Sequence, residues 1–146
     1  MATLPFGASA PSRPGRAVWA GRILSGLAIL FLTMDAAGKL LAPELMIANT
    51  PPLGLPTEPG FYRALGAILA ACVALHAWPR TAPLGAVLLT GYLGGAVAIH
   101  ARVGDPLLTH TLFGVYLGAA AWAGLWLRDP RIRALADFPS TTPTRS

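Results

Sequence analysis

The sequence is short of charge. Only 12% of its 146 residues are Asp, Glu, Lys or Arg, about half the roughly 25% usual for a soluble domain. A water-facing surface cannot be covered with so little. Cysteine is nearly absent too: Cys72 stands alone, which excludes an internal disulfide and a C-x-x-C redox pair. Lying in an apolar run, Cys72 reads as a small buried hydrophobe. The chain has no Walker loop, no G-x-S-x-G elbow and no dinucleotide fingerprint, so nothing marks an autonomous enzyme of the soluble type. The net charge is +5, yet no basic stripe alternates with aromatics, which argues against a nucleic-acid partner.

What the chain has in quantity is apolar length. Hydrophobic residues make up 54% and the mean hydropathy is +0.57. The length suffices for one domain. Residues 1–17 and 134–146 are rich in Pro, Ser, Thr and Ala and read as disordered tails flanking a membrane domain over 18–133. Within it, four segments approach the ~20 apolar residues that cross a bilayer: 18–41, 61–78, 84–101 and 107–127. The uncharged piece Ile23 to Met34 also has the length of a signal-peptide core, with Ala36-Ala37-Gly38 resembling a cleavage site. A retained span is the expectation, because Asp35 precedes that site and Lys39 can extend outward from a continuing helix.

The connector Ala42 to Gly60 carries Pro43, Pro51, Pro52, Pro56 and Pro59. Pro43 can open a short helix through Asn49, since proline suits the first helical position; the remainder is expected to be extended and to cap one end of the domain. Pro79 to Pro83 is a tight turn, and Arg102 to Pro106 another. The expected fold is all-α: an integral membrane four-helix bundle running up-down-up-down. Lys and Arg fix its orientation. Arg13, Arg16, Arg22, Arg80, Arg128, Arg131, Arg133 and Arg145 fall on one side, against Lys39, Arg63 and Arg102 on the other. The positive-inside rule then puts both termini in the cytoplasm.

Depth adds a sharper inference. At ~1.5 Å per residue, Asp35 lies roughly 25 Å along the first span, His100 about 24 Å along the third, and His110 roughly 25 Å back along the fourth. All three reach the non-cytoplasmic end, as do Lys39, Arg63, Arg102 and Asp105. Asp35 and Lys39 share a helix face at i,i+4 and can pair. That pair reads either as a structural ion pair at the helix end or as a functional carboxylate facing inward. Three readings of His100 and His110 stand side by side: imidazoles bonded to the turn or to Asp105, a polar pocket for a quinone-like headgroup, and ligation of a metal or haem with Asp35 or Asp105. In the pocket reading Asp35 sets the protonation of the histidines, while Arg102 pairs with Asp105 to hold the turn. His76, beside Trp78, reads as an interface residue. Trp19, Trp78, Trp122 and Trp126 form a partial aromatic belt, and Tyr92 and Tyr116 read either as core residues with a hydroxyl partner, the preferred reading, or as one wall of a pocket. Gly91 with Gly95, Gly114 with Gly118 and, more weakly, Gly66 with Ala70 are spaced for close helix contact, within the chain or with a second copy or membrane partner. The middles of the later spans carry no charge, which argues against a solute transporter.

Several stretches together resemble the DoxX-like family of small four-helix membrane proteins. They are Asp35-Ala36-Ala37-Gly38-Lys39-Leu40-Leu41 with Pro43, Pro79-Arg80-Thr81, Leu88 through Ala98, and His100, Arg102, Gly104-Asp105-Pro106 and His110. The resemblance runs over roughly residues 20–135. It implies a bacterial inner-membrane protein, with some relatives linked to thiosulfate:quinone oxidoreductase or to complexes handling thiol and oxidative stress. Thiol chemistry has no cysteine pair to work with here. The candidate ligand-binding residues carried forward are Asp35, Lys39, His100, Arg102, Asp105 and His110, with quinone as the first candidate ligand and haem behind it. A scaffold or assembly factor packing through glycine faces is the alternative role.

Overall fold

The structure, a computed structural model, describes residues 15–50 and 53–136. Among them there are helices and turns and no strand. The chain runs α1 (Arg16–Leu41), α2 (Pro43–Asn49), α3 (Pro59–Ala77), α4 (Ala82–Arg102), a π-helical turn (Leu107–Thr111), α5 (Phe113–Arg128) and α6 (Pro130–Ala136). Most of the two expected tails lies outside the described residues; of the parts within them, Arg16 and Ala17 belong to α1 and residues 134–136 to α6.

Proline does much of the punctuation. Pro43, Pro59, Pro83 and Pro130 each sit in the first turn of a helix, where the missing N–H would have had no partner. The short helix over Pro43–Asn49 is where Pro43 was expected to start one. It folds back on α1, so that a Cβ added at Gly38 would lie 3.0 Å from the Met46 sulfur.

Three helices are long and apolar enough to cross a membrane: α1 with 26 residues, α3 with 19 and α4 with 21. The fourth segment departs from expectation. It is not one helix over 107–127 but a π turn followed by α5, which has 16 residues. The amides of Thr111 and Leu112 reach back five residues to Pro106 and Leu107 at 3.2 and 2.8 Å, the wider spacing that defines a π turn. Pro106 lacks an amide and starts the helix abruptly, and Leu112 closes the turn before α5 begins.

The packing follows from small residues. The buried stripe of α1 is Gly21, Ser25, Ala28, Leu32 and Ala36, at three- and four-residue spacing, whereas Ile23, Leu27, Leu30 and Met34 on the same helix are exposed. Large side chains outside and small ones inside is the reverse of a soluble helix and suits a lipid-facing surface. α1 packs along both α3 and α5, and α4 packs along the same two. Leu32, Ala36, Leu69, Cys72, Val73, Leu89 and Leu93 form the central apolar cluster. Cys72 is buried and free.

The closest approaches are not at the expected G-x-x-x-G pairs. A Cβ on Gly21 would stand 2.8 Å from the carbonyl oxygen of Gly124, and one on Gly124 would stand 2.7 Å from the amide nitrogen of Ser25. α1 and α5 therefore touch backbone to backbone. Gly85 does the same for α4 on α3, meeting the backbone of Leu75 and His76. That contact corrects the reading of His76 as an interface residue: it is 0% exposed, because Gly85 lets α4 lie directly over it. His76 Nδ1 lies 3.2 Å from the Ala82 carbonyl. Since the carbonyl can only accept, Nδ1 carries the hydrogen.

Candidate functional site

A cavity of about 590 Å³ is walled by α1, the connector, α3, α4, the π turn and α5. Most of its wall is apolar: Phe31 and Leu32, Leu53 and Leu55, Leu65, Val97 and Leu117 all contribute. Its polar groups come from six places along the chain, namely Asp35 and Lys39, Thr50, Tyr62, Tyr92, His100, and His110 with Thr111. Gly91 and Gly95 line it as well. Neither would bring an added Cβ within 4 Å of another group, so the missing side chains leave open space. Phe31 and Phe113 meet edge to face with ring centres 5.0 Å apart. Both remain more than two-fifths or nearly so exposed, at 45% and 40%, which makes them a rim facing outward.

Of the six residues singled out from the sequence, Asp35, Lys39, His100 and His110 line this cavity. Arg102 and Asp105 do not, and each acts on a neighbour that does. The Lys39 ammonium donates to the Asp35 carboxylate one helical turn away. This places Asp35 against a cation of its own helix, so the expectation that Asp35 governs the histidines is not what the geometry provides.

The partner of the histidine is Asp105. His100 Nδ1 lies 2.5 Å from Asp105 Oδ2, and the two side chains are 24% and 16% exposed. A carboxylate accepts, so Nδ1 holds the hydrogen and Nε2 is left as the ring atom available to another group. The tight turn makes this possible. Gly104 has φ +74, a left-handed conformation open to glycine at little cost, and the Asp105 amide bonds back to the His100 carbonyl at 3.1 Å.

The expected Arg102–Asp105 pair does not form. Arg102 instead donates to the carbonyl of Leu53 in the connector, beside Gly54, whose φ is +65. The chain between α2 and α3 is thereby tied to the end of α4, and Leu53 is 7% exposed despite lying in a loop. Arg102 thus acts on the cavity by holding its cap.

His110 sits on the π turn, exposed, with Nδ1 2.8 Å from the hydroxyl of Thr109. Its ring centre is 6.4 Å from that of His100. Thr111, 3% exposed, donates to the Asp105 carbonyl at 3.2 Å. Among the described residues no group of three or more His, Cys, Asp or Glu is placed to hold a metal ion; Asp35 faces Lys39 and Asp105 faces only His100.

Tyr92 fits both of its sequence readings: it packs beside the central cluster and also forms part of the cavity wall. Tyr116, given the same two readings, is 48% exposed. Sequence reasoning missed Tyr62, Thr50 and Leu53. Thr50 and Leu53 come from the connector, where only the proline content gave a signal. The glycines at 91 and 95 were noticed as packing residues; their effect here is to enlarge the cavity.

Apolar helices enclosing a cavity with its polar groups at one end define a membrane protein with a candidate binding site inside the helix pack. Residues 23–124 match the DoxX-like family, and the chain belongs to that family. No curated protein and no solved structure is matched.

Proposed function

We propose that this protein is a redox-associated membrane subunit that binds a quinone or a similar amphiphile in the cavity between Asp35, Lys39, His100 and His110. In this reading the π turn and α5 together make the fourth crossing of an antiparallel four-helix bundle. Both termini face the cytoplasm, the membrane is a bacterial inner membrane, and the cavity lies at the far end.

The observation that supports it is the cavity's composition. At about 590 Å³ it falls within the ~300–1,000 Å³ of small-molecule sites, with apolar walls for a ring and tail and a few convergent polar groups for a headgroup. The polar groups suit both oxidation levels of a quinone. Lys39 and the Tyr92 hydroxyl are donors, fit for a carbonyl oxygen. His100 Nε2, left free by the hydrogen bond of Nδ1 to Asp105, accepts a hydrogen bond from a hydroxyl. The exposed rim at Phe31 and Phe113 gives a lateral route from the bilayer. A bound quinone would contribute two-electron, two-proton redox chemistry. The chain contributes orientation, a dry wall and proton-accepting imidazoles.

The test uses protein purified in mild detergent, with quinone extracted and quantified per mole and a reduced-minus-oxidised spectrum recorded. His100→Ala and His110→Ala should each abolish retention while helicity and elution volume stay unchanged. Unchanged retention in both variants refutes the assignment. A haem Soret band would transfer the histidines to ligation.

One observation favours the scaffold reading as the alternative. Gly94 is exposed, with no group within 4 Å of an added Cβ, so that part of α4 can receive a partner. Gly114 cannot serve, because it is already filled from within by Leu93 and Val97. Under the scaffold reading Gly94→Leu disrupts a complex and the histidine substitutions are silent.

A further inference from the structure

At the other end of the helix pack α4, α5 and α6 border an open hollow of about 510 Å³, lined by Leu84, Val87, Trp122, Trp126, Ile132 and Leu135. It is an apolar groove, and much of it is uncovered: Leu84 is 53% exposed, Val87 56% and Leu135 76%. Three arginines neighbour its lining residues along the chain. Arg80 lies in the turn just before α4, and Arg131 and Arg133 flank Ile132 on α6. Arg131 donates to the Pro79 carbonyl at 2.8 Å, which brings α6 against the residue next to Arg80.

The charges at this rim are unequal in what they leave free. Arg131 is neutralised by Asp129, whose carboxylate takes hydrogen bonds from its amide, Nε and Nη2 at 2.9, 3.1 and 2.7 Å. Arg133 donates to the Leu127 and Trp126 carbonyls at 3.1 and 3.5 Å, contacts that anchor it without cancelling its charge. Arg80 is exposed, and no carboxylate among the described residues pairs with it. Among the described residues Asp129 is the acidic group at this rim, and Arg131 occupies it. The result is an apolar slot between helices with two cations at its mouth that no carboxylate among the described residues compensates, and Trp126 beside them.

From this the geometry points to a binding site for one anionic phospholipid, with an acyl chain in the groove and the phosphate between Arg80 and Arg133. Charge complementarity selects the occupant. A zwitterionic lipid fills the slot equally well but gains nothing net from the two arginines, and a second copy of this chain would bring its own arginines against them. Basic pockets between membrane helices hold anionic headgroups for this reason, and tryptophan marks the headgroup level. The site is separate from the cavity of His100 and His110 and does not depend on what that cavity binds.

Quenching of tryptophan by brominated acyl chains tests it. The full-length protein with Trp19→Phe and Trp78→Phe, so that Trp122 and Trp126 report, is reconstituted in phosphatidylcholine. Brominated phosphatidylglycerol or brominated phosphatidylcholine is then titrated in. The expected result is a preference for the anionic lipid that falls about five-fold in Arg80→Gln and about twenty-five-fold in Arg80→Gln/Arg133→Gln, at roughly a factor of five per interfacial arginine. Arg133 also anchors α6, so the single Arg80→Gln variant, which removes none of the hydrogen bonds above, is decisive alone. Equal quenching by the two lipids overturns the proposal. So does a preference that survives the double substitution, and so does a dimer in which neither lipid quenches.

Discussion

Gly85→Ala is the substitution for which the structure predicts most from a single atom. The added Cβ would fall on the amide nitrogen and Cα of His76 and 2.7 Å from the carbonyl carbon of Leu75. These are backbone atoms in the last turn of α3 and cannot swing aside as a side-chain tip would. α4 has to lift away from α3. Overpacking of this kind costs about 1–3 kcal/mol. Ala82, Ala86 and Leu89, at 0%, 1% and 1% exposure, lie on the same face of α4 and lose contact as it lifts. The His76–Ala82 hydrogen bond spans the same junction at 3.2 Å, and its loss adds about 1 kcal/mol. Alanine's better helix propensity returns about 1 kcal/mol. The net expectation is a destabilisation of roughly 1–3 kcal/mol. Gly94→Ala is the internal control. It lies on the same helix and gains the same propensity, but its Cβ meets nothing within 4 Å. Thermal unfolding in one detergent should therefore lower the midpoint for Gly85→Ala and leave it unchanged or raised for Gly94→Ala. Equal midpoints for the two variants would falsify the close packing of α4 on His76.

Gly54→Ala should loosen the cap without unfolding the helices. The position has φ +65 and an added Cβ would lie 2.9 Å from Arg102 Nη2, so a cost of about 1 kcal/mol and faster amide exchange over 53–58 are expected; unchanged exchange refutes the Arg102 tie. Asp129 gives a pH dependence. The Arg131 guanidinium and amide hydrogen-bonded to it hold its carboxyl below the ordinary carboxylate range. A folded pKa below the unfolded one means the stabilisation is fully present above the unfolded value of about 3.9 and is lost as pH falls through the folded value. The midpoint difference between the native chain and Asp129→Asn should thus be flat from neutrality down to about pH 4 and close below it. A difference that instead closes between pH 6 and 8 assigns the effect to another group.

Much of the helical layout was readable because its signals are local. Apolar runs bounded by Pro43, Pro59, Pro79 and Pro83 set the ends of α2, α3 and α4 to within a residue or two. The close contacts were readable only in part: Gly66 does pack on α1 and Gly114 on α4, but motif spacing says that two glycines share a face and says nothing of what that face meets. Gly21 and Gly124 belong to no G-x-x-x-G pair, yet they bring α1 and α5 together, while Gly91 and Gly95 form one and touch nothing. His76 was misjudged for the same reason. Next to Trp78 at a helix end it resembles an interface residue, and only the tertiary approach of Gly85 buries it.

The candidate site divides along the same line. Depth along each helix brings Asp35, His100 and His110 to one level, and a helix-register argument pairs Asp35 with Lys39; both are arithmetic on a known rise. Partner choice at the turn is different, since Arg102 and Asp105 are three residues apart and opposite in charge, and pairing them was the economical reading. The backbone decides otherwise. A left-handed residue at Gly104 turns Asp105 back over the last turn of α4 onto His100, and that leaves Arg102 to reach forty-nine positions back to Leu53. The π turn completes the effect. An amide reaching back five residues rather than four inserts one residue into the helix, worth about 100° of rotation, and so the face carrying His110 no longer continues the face of α5. A straight α-helix through the same sequence would set His110 in a different direction from the one that brings its ring 6.4 Å from His100. The pairing of the two histidines therefore depends on Gly104 and on the π turn together, neither of which a hydropathy pattern encodes.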